Sequence, residues 1–157
     1  MDATPVTLAL DQLHTPYRTF EHSGPVHSVE QAAEERAMTV DQVVRSIVFR
    51  VGPDDFVMVL VTGMRQIAWP LLRKYLSQSR LTMATEEEVL RVTGYRLGAV
   101  SPFGLPAPMR VLVDQSVLEN EEVSIWAGVR NAAILLKTAD LLRALGQVET
   151  VKLSGDR

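Results

Sequence analysis

Two apolar runs separated by a short turn constrain the fold of this chain more than any other feature. Residues 46–51 and 56–61 are rich in Val, Ile, Leu and Phe, the residue types that favour β-strands. Between them stands Gly52-Pro53-Asp54-Asp55, whose residues favour a tight reversal of the backbone. The sequence therefore predicts two neighbouring antiparallel strands that form a hairpin.

Capping residues and apolar spacing divide the rest of the chain into short helices and strands. We predict helices at 5–13, 29–37, 40–45, 67–76, 86–93 and 139–145. We predict further strands at 17–20, 81–84, 109–113, 123–127, 132–137 and 148–153. This interspersed order, with few βαβ units, indicates an α/β (α+β) fold in which helices cover a mixed, largely antiparallel β-sheet.

Length and composition predict one globular domain over residues 1–157, with 46% hydrophobic and 22% charged residues. A net charge of -3 excludes the strongly basic class of nucleic-acid-binding proteins. The absence of cysteine excludes disulfides, a thiolate nucleophile and a cysteine-based zinc site. The N-terminus lacks the order of a signal peptide, and no apolar run approaches the ~20 residues of a membrane span. We therefore expect a cytoplasmic protein without a membrane partner.

The segment 98–108 is the most unusual stretch of the chain, because it holds three prolines and two glycines. Such a composition excludes a helix or a central strand and indicates a stiff loop. A loop of this kind can fix backbone N–H groups in the directions that an oxyanion hole or a phosphate site requires. Composition alone leaves open the alternative that the loop only connects two strands.

Four segments, in order, carry a family pattern. They are Glu21-His22, Gln42-Val43-Val44-Arg45-Ser46, Thr93-Gly94-Tyr95 followed by Gly98-Ala99-Val100-Ser101-Pro102-Phe103-Gly104, and Trp126-Ala127-Gly128-Val129-Arg130. Together they resemble the YbaK/ProX family, whose members are aminoacyl-tRNA deacylases related to the editing domain of bacterial prolyl-tRNA synthetase. The resemblance extends from about Leu8 to Leu145 and implies a barrel-like β-sheet flanked by helices.

The resemblance also implies a reaction, the hydrolysis of the ester that joins a mischarged amino acid to the 3′ end of tRNA. Family members carry Lys where this chain has Arg45, Tyr where it has Phe20, and Asp where it has Ala133. The residues implied in catalysis are Arg45, Gly98, Ser101, Pro102, Phe103 and Gly104. The residues implied in substrate binding are Phe20, His22, Phe49, Thr62, Gly63, Met64, Gly128 and Arg130, with Val48 as a further pocket residue.

A guanidinium at position 45 stays charged and cannot serve as a base, but it can donate hydrogen bonds to a carbonyl or phosphate oxygen. We therefore expect Arg45 to bind the ester carbonyl or the terminal phosphate, while N–H groups of the Ser101–Gly104 loop hold the developing oxyanion. Water or a substrate hydroxyl would then attack the ester. A second hypothesis is that the ammonium group of Lys137 points into the pocket and replaces the family's lysine. The alternative is that Lys137 is a solvated lysine at the end of a strand.

Neither a metal nor a cofactor is expected, because His14, His22 and His27 lack the spacing of metal ligands. The partner implied by the resemblance is aminoacyl-tRNA at its acceptor end, with Cys- or Ala-tRNA(Pro) as the family substrates and prolyl-tRNA synthetase as a further partner. The alternative function is a catalytically impaired module that binds an aminoacyl ligand or the tRNA 3′ end. The sequence leaves both a monomer and a homodimer open.

Overall fold

Short helices and strands alternate along the chain in the computed structural model, which describes residues 1–155. The helices are α1 (Pro5–Gln12), α2 (Val29–Glu35), α3 (Trp69–Leu76), α4 (Glu86–Thr93) and α5 (Thr138–Leu145). The strands are β1 (Arg18–Glu21), β2 (Val44–Val51), β3 (Asp55–Thr62), β4 (Leu81–Met83), β5 (Arg110–Asp114), β6 (Glu122–Trp126), β7 (Ala132–Lys137) and β8 (Glu149–Val151). Helical 3₁₀ turns occupy Val40–Gln42 and Gln115–Glu119.

The predicted hairpin is confirmed. Strands β2 and β3 pair antiparallel from Val44 opposite Thr62 to Val51 opposite Asp55. They lie inside a five-stranded sheet of order β4-β2-β3-β5-β8, and β1, β7 and β6 form a second sheet of three strands. An isolated bridge between Val43 and Ser124 links the two sheets.

The sheet prediction is right in part. The fold is mixed and helix-covered as expected, and β1–β7, β2–β3, β2–β4 and β6–β7 pair antiparallel. Strand β5, however, runs parallel to both β3 and β8, because helical crossovers precede β5 and β8. The strands of residues 1–155 form two sheets and not a closed barrel, so the barrel-like arrangement is not confirmed.

The helix predicted at 40–45 is wrong beyond Gln42. Thr39 and Gln42 form the expected capping box, but only the 3₁₀ turn follows it. Val44, which is 1% exposed, instead begins β2 and pairs with Thr62. Burial of a β-branched residue in the sheet outweighs the local helix signal. Arg45 therefore stands near the start of a strand rather than at a helix end.

The hydrophobic core lies on both faces of the large sheet. Val44, Val48, Met58 and Leu60 point into the larger cluster, which β6, β7, α1 and α5 cover. Phe49, Val57, Val59 and Leu112 alternate with them and pack against Leu72 of α3 and Leu153. None of the helices within residues 1–155 has the length and apolar character that crossing a bilayer requires.

An exposed ion pair ties β5 to β8. Arg110 donates to both carboxylate oxygens of Glu149 at 2.7 and 2.6 Å, and the Tyr75 hydroxyl donates to the same group at 2.8 Å. The hydrogen bonds from Arg110 lower the pKa of Glu149 from 4.5 to about 2. Its contribution to stability is therefore fully present above pH 4.5 and is lost as the pH falls through about 2.

Replacing Glu149 by glutamine is expected to lower the free energy of unfolding at pH 7 by less than about 1 kcal/mol, because the pair is solvated. The difference from wild type should decrease as the pH falls from 4.5 and should be lost as the pH falls through about 2. Urea denaturation at several pH values measures it, with Glu34→Gln on the exposed side of α2 as the control. A difference that is as large at pH 2 as at pH 7 would contradict this account.

Candidate functional site

Three adjoining cavities form a groove beside the first half of β2. The central cavity measures about 260 Å³ and is lined by Val26, Ser28, Val29, Ala32, Val43, Arg45, Ser46, Ile47, Leu97, Gly98, Val100 and Trp126. The outer cavity, of about 620 Å³, shares Val26, Leu97, Gly98 and Trp126 with it and adds His22, Ser23, Gly24, Pro25, Arg130 and Asn131. The Met64 cavity, of about 330 Å³, shares Val29, Arg45 and Ile47 with the central one and adds Phe49, Met64, Gln66, Ile67, Trp69 and Met83.

Arg45 stands where the central cavity meets the Met64 cavity. Its Nε donates to the carbonyl oxygen of Gly63 at 2.7 Å, and its Nη2 donates to the carbonyl oxygen of Arg65. These two bonds fix the guanidinium plane, while Nη1 has no protein acceptor within residues 1–155. Burial lowers the pKa of Arg45. A guanidinium keeps its charge at neutral pH even so, and it therefore presents an oriented cation with free N–H donors to the groove.

The loop that follows α4 forms the opposite wall through Gly98 and Val100, which line the central cavity. The hydroxyl of Tyr95 holds this loop by donating to the carbonyl of Phe103 at 2.5 Å. Gly104 has φ +71°, and a Cβ there would lie 2.6 Å from that hydroxyl and 2.7 Å from the Pro5 carbonyl oxygen. Glycine is therefore required where the loop packs on α1.

The part of the loop that lines the central cavity is its beginning, Gly98 and Val100, and not the segment Ser101–Gly104. Ser101 and Phe103 are buried under the loop, Pro102 has no N–H, and the N–H of Phe103 donates to the Ser101 hydroxyl at 3.2 Å. The N–H groups of Gly98 and Val100 have no protein acceptor within the described residues. The role of the Ser101–Gly104 N–H groups as oxyanion donors stays a prediction, and Gly98 and Val100 are the loop residues that line the central cavity.

The predicted substrate-binding residues separate into three sets. His22 and Arg130 line the outer cavity, and Phe49 and Met64 line the Met64 cavity. The carbonyl of Gly63 accepts a hydrogen bond from Arg45. The rings of Phe20 and His22 pack edge to face, with their centres 4.8 Å apart.

The remaining predicted residues lie away from the groove. Thr62 is buried at the end of β3, and Gly128 packs against Tyr95, where a Cβ would lie 2.8 Å from the ring. Val48 points into the core, because the alternation of β2 turns it away from Arg45 and Ile47. The Lys137 hypothesis is wrong, since that side chain is exposed at the end of β7.

Several groove residues were not predicted. Ser28, Val29 and Ile47 line the central cavity, and Trp126, which its residue type assigns to the core, lines two cavities. Only the alternation of β2 could have indicated Ile47, as it shares a face with Arg45. A separate cavity of about 410 Å³ lies near the hairpin turn and contains no predicted site residue.

His22 and Asp114 both have hydrogen-bond partners other than a serine–histidine–aspartate triad within residues 1–155. The Nδ1 of His22 lies 2.7 Å from Glu35 Oε1, and its Nε2 accepts a hydrogen bond from Arg36. Asp114 accepts hydrogen bonds from Leu153 and Ser154. Within residues 1–155, no group of three or more His, Asp or Glu side chains is placed to hold a metal ion.

Comparisons with known proteins point to one family. A family model described as the aminoacyl-tRNA editing domain matches residues 23–144. A proline–tRNA ligase of Thermosipho melanesiensis is 31% identical over 100 residues, which are 64% of this chain and 17% of that protein. The chain spans 16–20% of the length of the proline–tRNA ligases it matches.

Two further proteins match over nearly their full length. The multifunctional Ser/Thr-tRNA deacylase ProXp-y of Escherichia coli K12 is 27% identical over 146 residues, covering 90% of this chain and 86% of that protein. The crystal structure of a proposed trans-editing enzyme for prolyl tRNA synthetase superposes with a TM-score of 0.87 at 27% identity, covering 97% of this chain and 96% of that one.

Proposed function

The chain belongs to the aminoacyl-tRNA editing domain family, and on that premise we propose that it hydrolyses the ester of a mischarged aminoacyl-tRNA in trans. The family expected from the sequence is thereby confirmed. The observation that carries the proposal is the placement of Arg45, an oriented cation at the junction of two cavities in a chain with this family's fold.

The donors around the central cavity support a role in polarising a carbonyl. Arg45, Gly98 and Val100 all line it, and within residues 1–155 the Nη1 of Arg45 and the backbone N–H groups of Gly98 and Val100 have no protein acceptor. An ester carbonyl oxygen placed in this cavity could receive hydrogen bonds from these groups as negative charge develops on it. Preorganised donors of this kind commonly contribute about 10²–10³ in rate for each donor.

Water is the nucleophile that fits this site best. The described lining of the central cavity includes no His, Asp, Glu or Lys, and both ring nitrogens of His22 are engaged. The oxygen of water adds to the carbonyl carbon and gives a tetrahedral oxyanion, and the bond from that carbon to the ribose oxygen breaks when this intermediate collapses. The proton lost by water passes, through a substrate group or solvent, to the departing ribose oxygen, and the products are a tRNA hydroxyl and a free amino acid.

The walls of the central cavity would select the aminoacyl side chain by size. Val26, Val29, Ile47, Leu97 and Trp126 make them largely apolar. A pocket of this kind separates side chains that differ by one methylene by only about 1–3 kcal/mol. Because the cavity measures only about 260 Å³, we propose an aminoacyl group with a small side chain as substrate. The first candidates are Cys or Ala on tRNA(Pro), and Ser or Thr.

Docking of the tRNA would rest on few phosphate contacts. The net charge of -3 offers little general attraction, so the arginines near the groove, Arg65 and Arg130, would supply local contacts. Affinity should fall with salt along a shallow slope. Assistance from prolyl-tRNA synthetase would compensate for this weak binding.

A panel of mischarged tRNAs tests the proposal. The wild-type chain is incubated with Cys-, Ala-, Ser- and Thr-charged tRNAs and the remaining ester is measured over time. Hydrolysis above the spontaneous rate on any member supports the enzyme. Binding to a member without turnover on any of them would instead identify a binding module, the alternative that the missing general base in the central cavity favours.

A further inference from the structure

A buried cation lies directly behind the wall of the groove. Arg36 follows α2, is 5% exposed, and places its guanidinium carbon 4.4 Å from the centre of the Trp126 ring. Burial lowers the pKa of Arg36 to about 10, so the group is still charged at neutral pH. Trp126 lines the central and outer cavities, whereas Arg36 lines neither of them.

Hydrogen bonds fix the plane of this guanidinium. Its Nε donates to His22 Nε2 at 3.1 Å, and its Nη1 donates to the Ser124 hydroxyl at 2.9 Å. Because an arginine can only donate, His22 Nε2 is an acceptor, and the ring hydrogen of the neutral imidazole is on Nδ1, facing Glu35 at 2.7 Å. His22 thus connects the carboxylate of Glu35 to the cation of Arg36.

The contacts of Arg36 fit a purely structural role poorly. Its Nη2 is buried and has no hydrogen-bond partner among residues 1–155, which destabilises the folded state. An apolar side chain of similar length would avoid the unpaired Nη2, although His22 Nε2 and the Ser124 hydroxyl would lose the donor that Arg36 supplies. What only a guanidinium supplies is a flat charged face against the indole, held in one orientation by His22 and Ser124.

We propose that Arg36 is a positioning residue that acts through Trp126. The planar guanidinium holds the indole in place as the shared wall of two cavities, and it thereby determines which aminoacyl groups the central cavity admits. The inference rests on the proposed function for its effect on substrates. The coupling between Arg36 and Trp126 can be measured without any substrate.

The first test follows the fluorescence of Trp126 in a Trp69→Phe background, where it is the remaining tryptophan of the two in the chain. A cation–π contact biases the position of a ring by about two- to thirtyfold, so Arg36→Met should raise acrylamide quenching about twofold or more and shift the emission to the red. Arg36→Lys should do the same, because an ammonium retains the charge without the flat face. If Arg36→Met does not fold, the Arg36→Lys variant alone tests whether Arg36 positions Trp126.

Arg91→Met is the matched control for this measurement. The guanidinium carbon of Arg91 lies 5.5 Å from the centre of the Phe56 ring, and Arg91 lines the separate 410 Å³ cavity. Its replacement should leave Trp126 fluorescence unchanged. Wild-type quenching in a folded Arg36→Lys variant would overturn the proposal, because charge alone would then suffice.

The second test measures selectivity through a double-mutant cycle. Arg36→Met and Trp126→Phe should each change the ratio of kcat/KM between the largest and smallest accepted aminoacyl groups by about tenfold, the effect of a methylene in a fitted pocket. The double variant should show no more than the larger single effect. Additive effects would overturn the proposal. Absence of hydrolysis by the wild type would refute the proposed function, while the fluorescence test would still decide the coupling.

Discussion

Replacement of Arg45 by alanine is expected to lower the rate of aminoacyl-tRNA hydrolysis by at least about 100-fold. The change removes the cation at the junction of the central cavity and the Met64 cavity, together with its free donors. The carbonyl oxygens of Gly63 and Arg65 lose a partner, but they lie at a half-buried position where water can replace it. Thermal unfolding should therefore be nearly unchanged. The measurement is a single-turnover rate on the best substrate of the panel.

Two further variants separate charge from folding in this experiment. Arg45→Lys retains a cation and should stay within about tenfold of the wild-type rate, because charge stabilisation is the main contribution. Arg50→Ala is the matched control, since Arg50 lies in the same strand and also donates to two backbone carbonyls, those of Gly52 and Pro53. It lines none of the groove cavities and should retain full activity. Wild-type turnover by Arg45→Ala would refute the role assigned to Arg45.

Replacement of Asp114 by alanine is expected to destabilise the protein by about 3–5 kcal/mol. The carboxylate is 1% exposed and accepts hydrogen bonds from the N–H groups of Ser116, Leu153 and Ser154 and from the Ser154 hydroxyl, at 2.7–3.1 Å. Alanine would leave these donors buried without an acceptor. The chain after β8 would then lose its attachment to β5. Urea denaturation at pH 7 measures the change.

The pH dependence of the Asp114 contribution follows from its surroundings. Burial raises its pKa, but the hydrogen bonds from Ser116, Leu153 and Ser154 together lower it below the usual 3.8. Its contribution is therefore present above pH 3.8 and is lost as the pH falls through the lower folded value. Asp11→Ala, which removes one exposed hydrogen bond to Tyr17, is the control and should cost less than about 1 kcal/mol. A similarly small loss for Asp114→Ala would contradict the claim that Asp114 attaches the chain after β8 to β5.

Turn and capping residues in the sequence predict the parts of the fold that depend on neighbouring residues alone. The hairpin around Gly52-Pro53 and the helix between Thr85 and Gly94 were predicted because turn and capping residues act within a few positions. The strand start at Val44 and the parallel pairing of β5 depend on partners far along the chain. No local pattern contains that information.

The difference between local signals and distant partners also explains which residues of the groove could be predicted. Arg45 and Gly98 could be named from short motifs, and the structure places both on the central cavity. Trp126 and Ile47 join them only because the two sheets and α2 meet there. The motif also points to Ser101, whose side chain is buried and lines none of the groove cavities. Arg36 could not be found from sequence, because an arginine after a helix is ordinarily solvated.

The central claim is that the chain hydrolyses an aminoacyl ester and does not only bind one. The most direct measurement incubates an excess of the protein with a mischarged tRNA and follows the ester in a single turnover. The account predicts loss of the ester at a rate that saturates with protein concentration, yielding free amino acid and intact tRNA. An ester that is bound yet decays no faster than free aminoacyl-tRNA, or is protected from spontaneous hydrolysis, would contradict it.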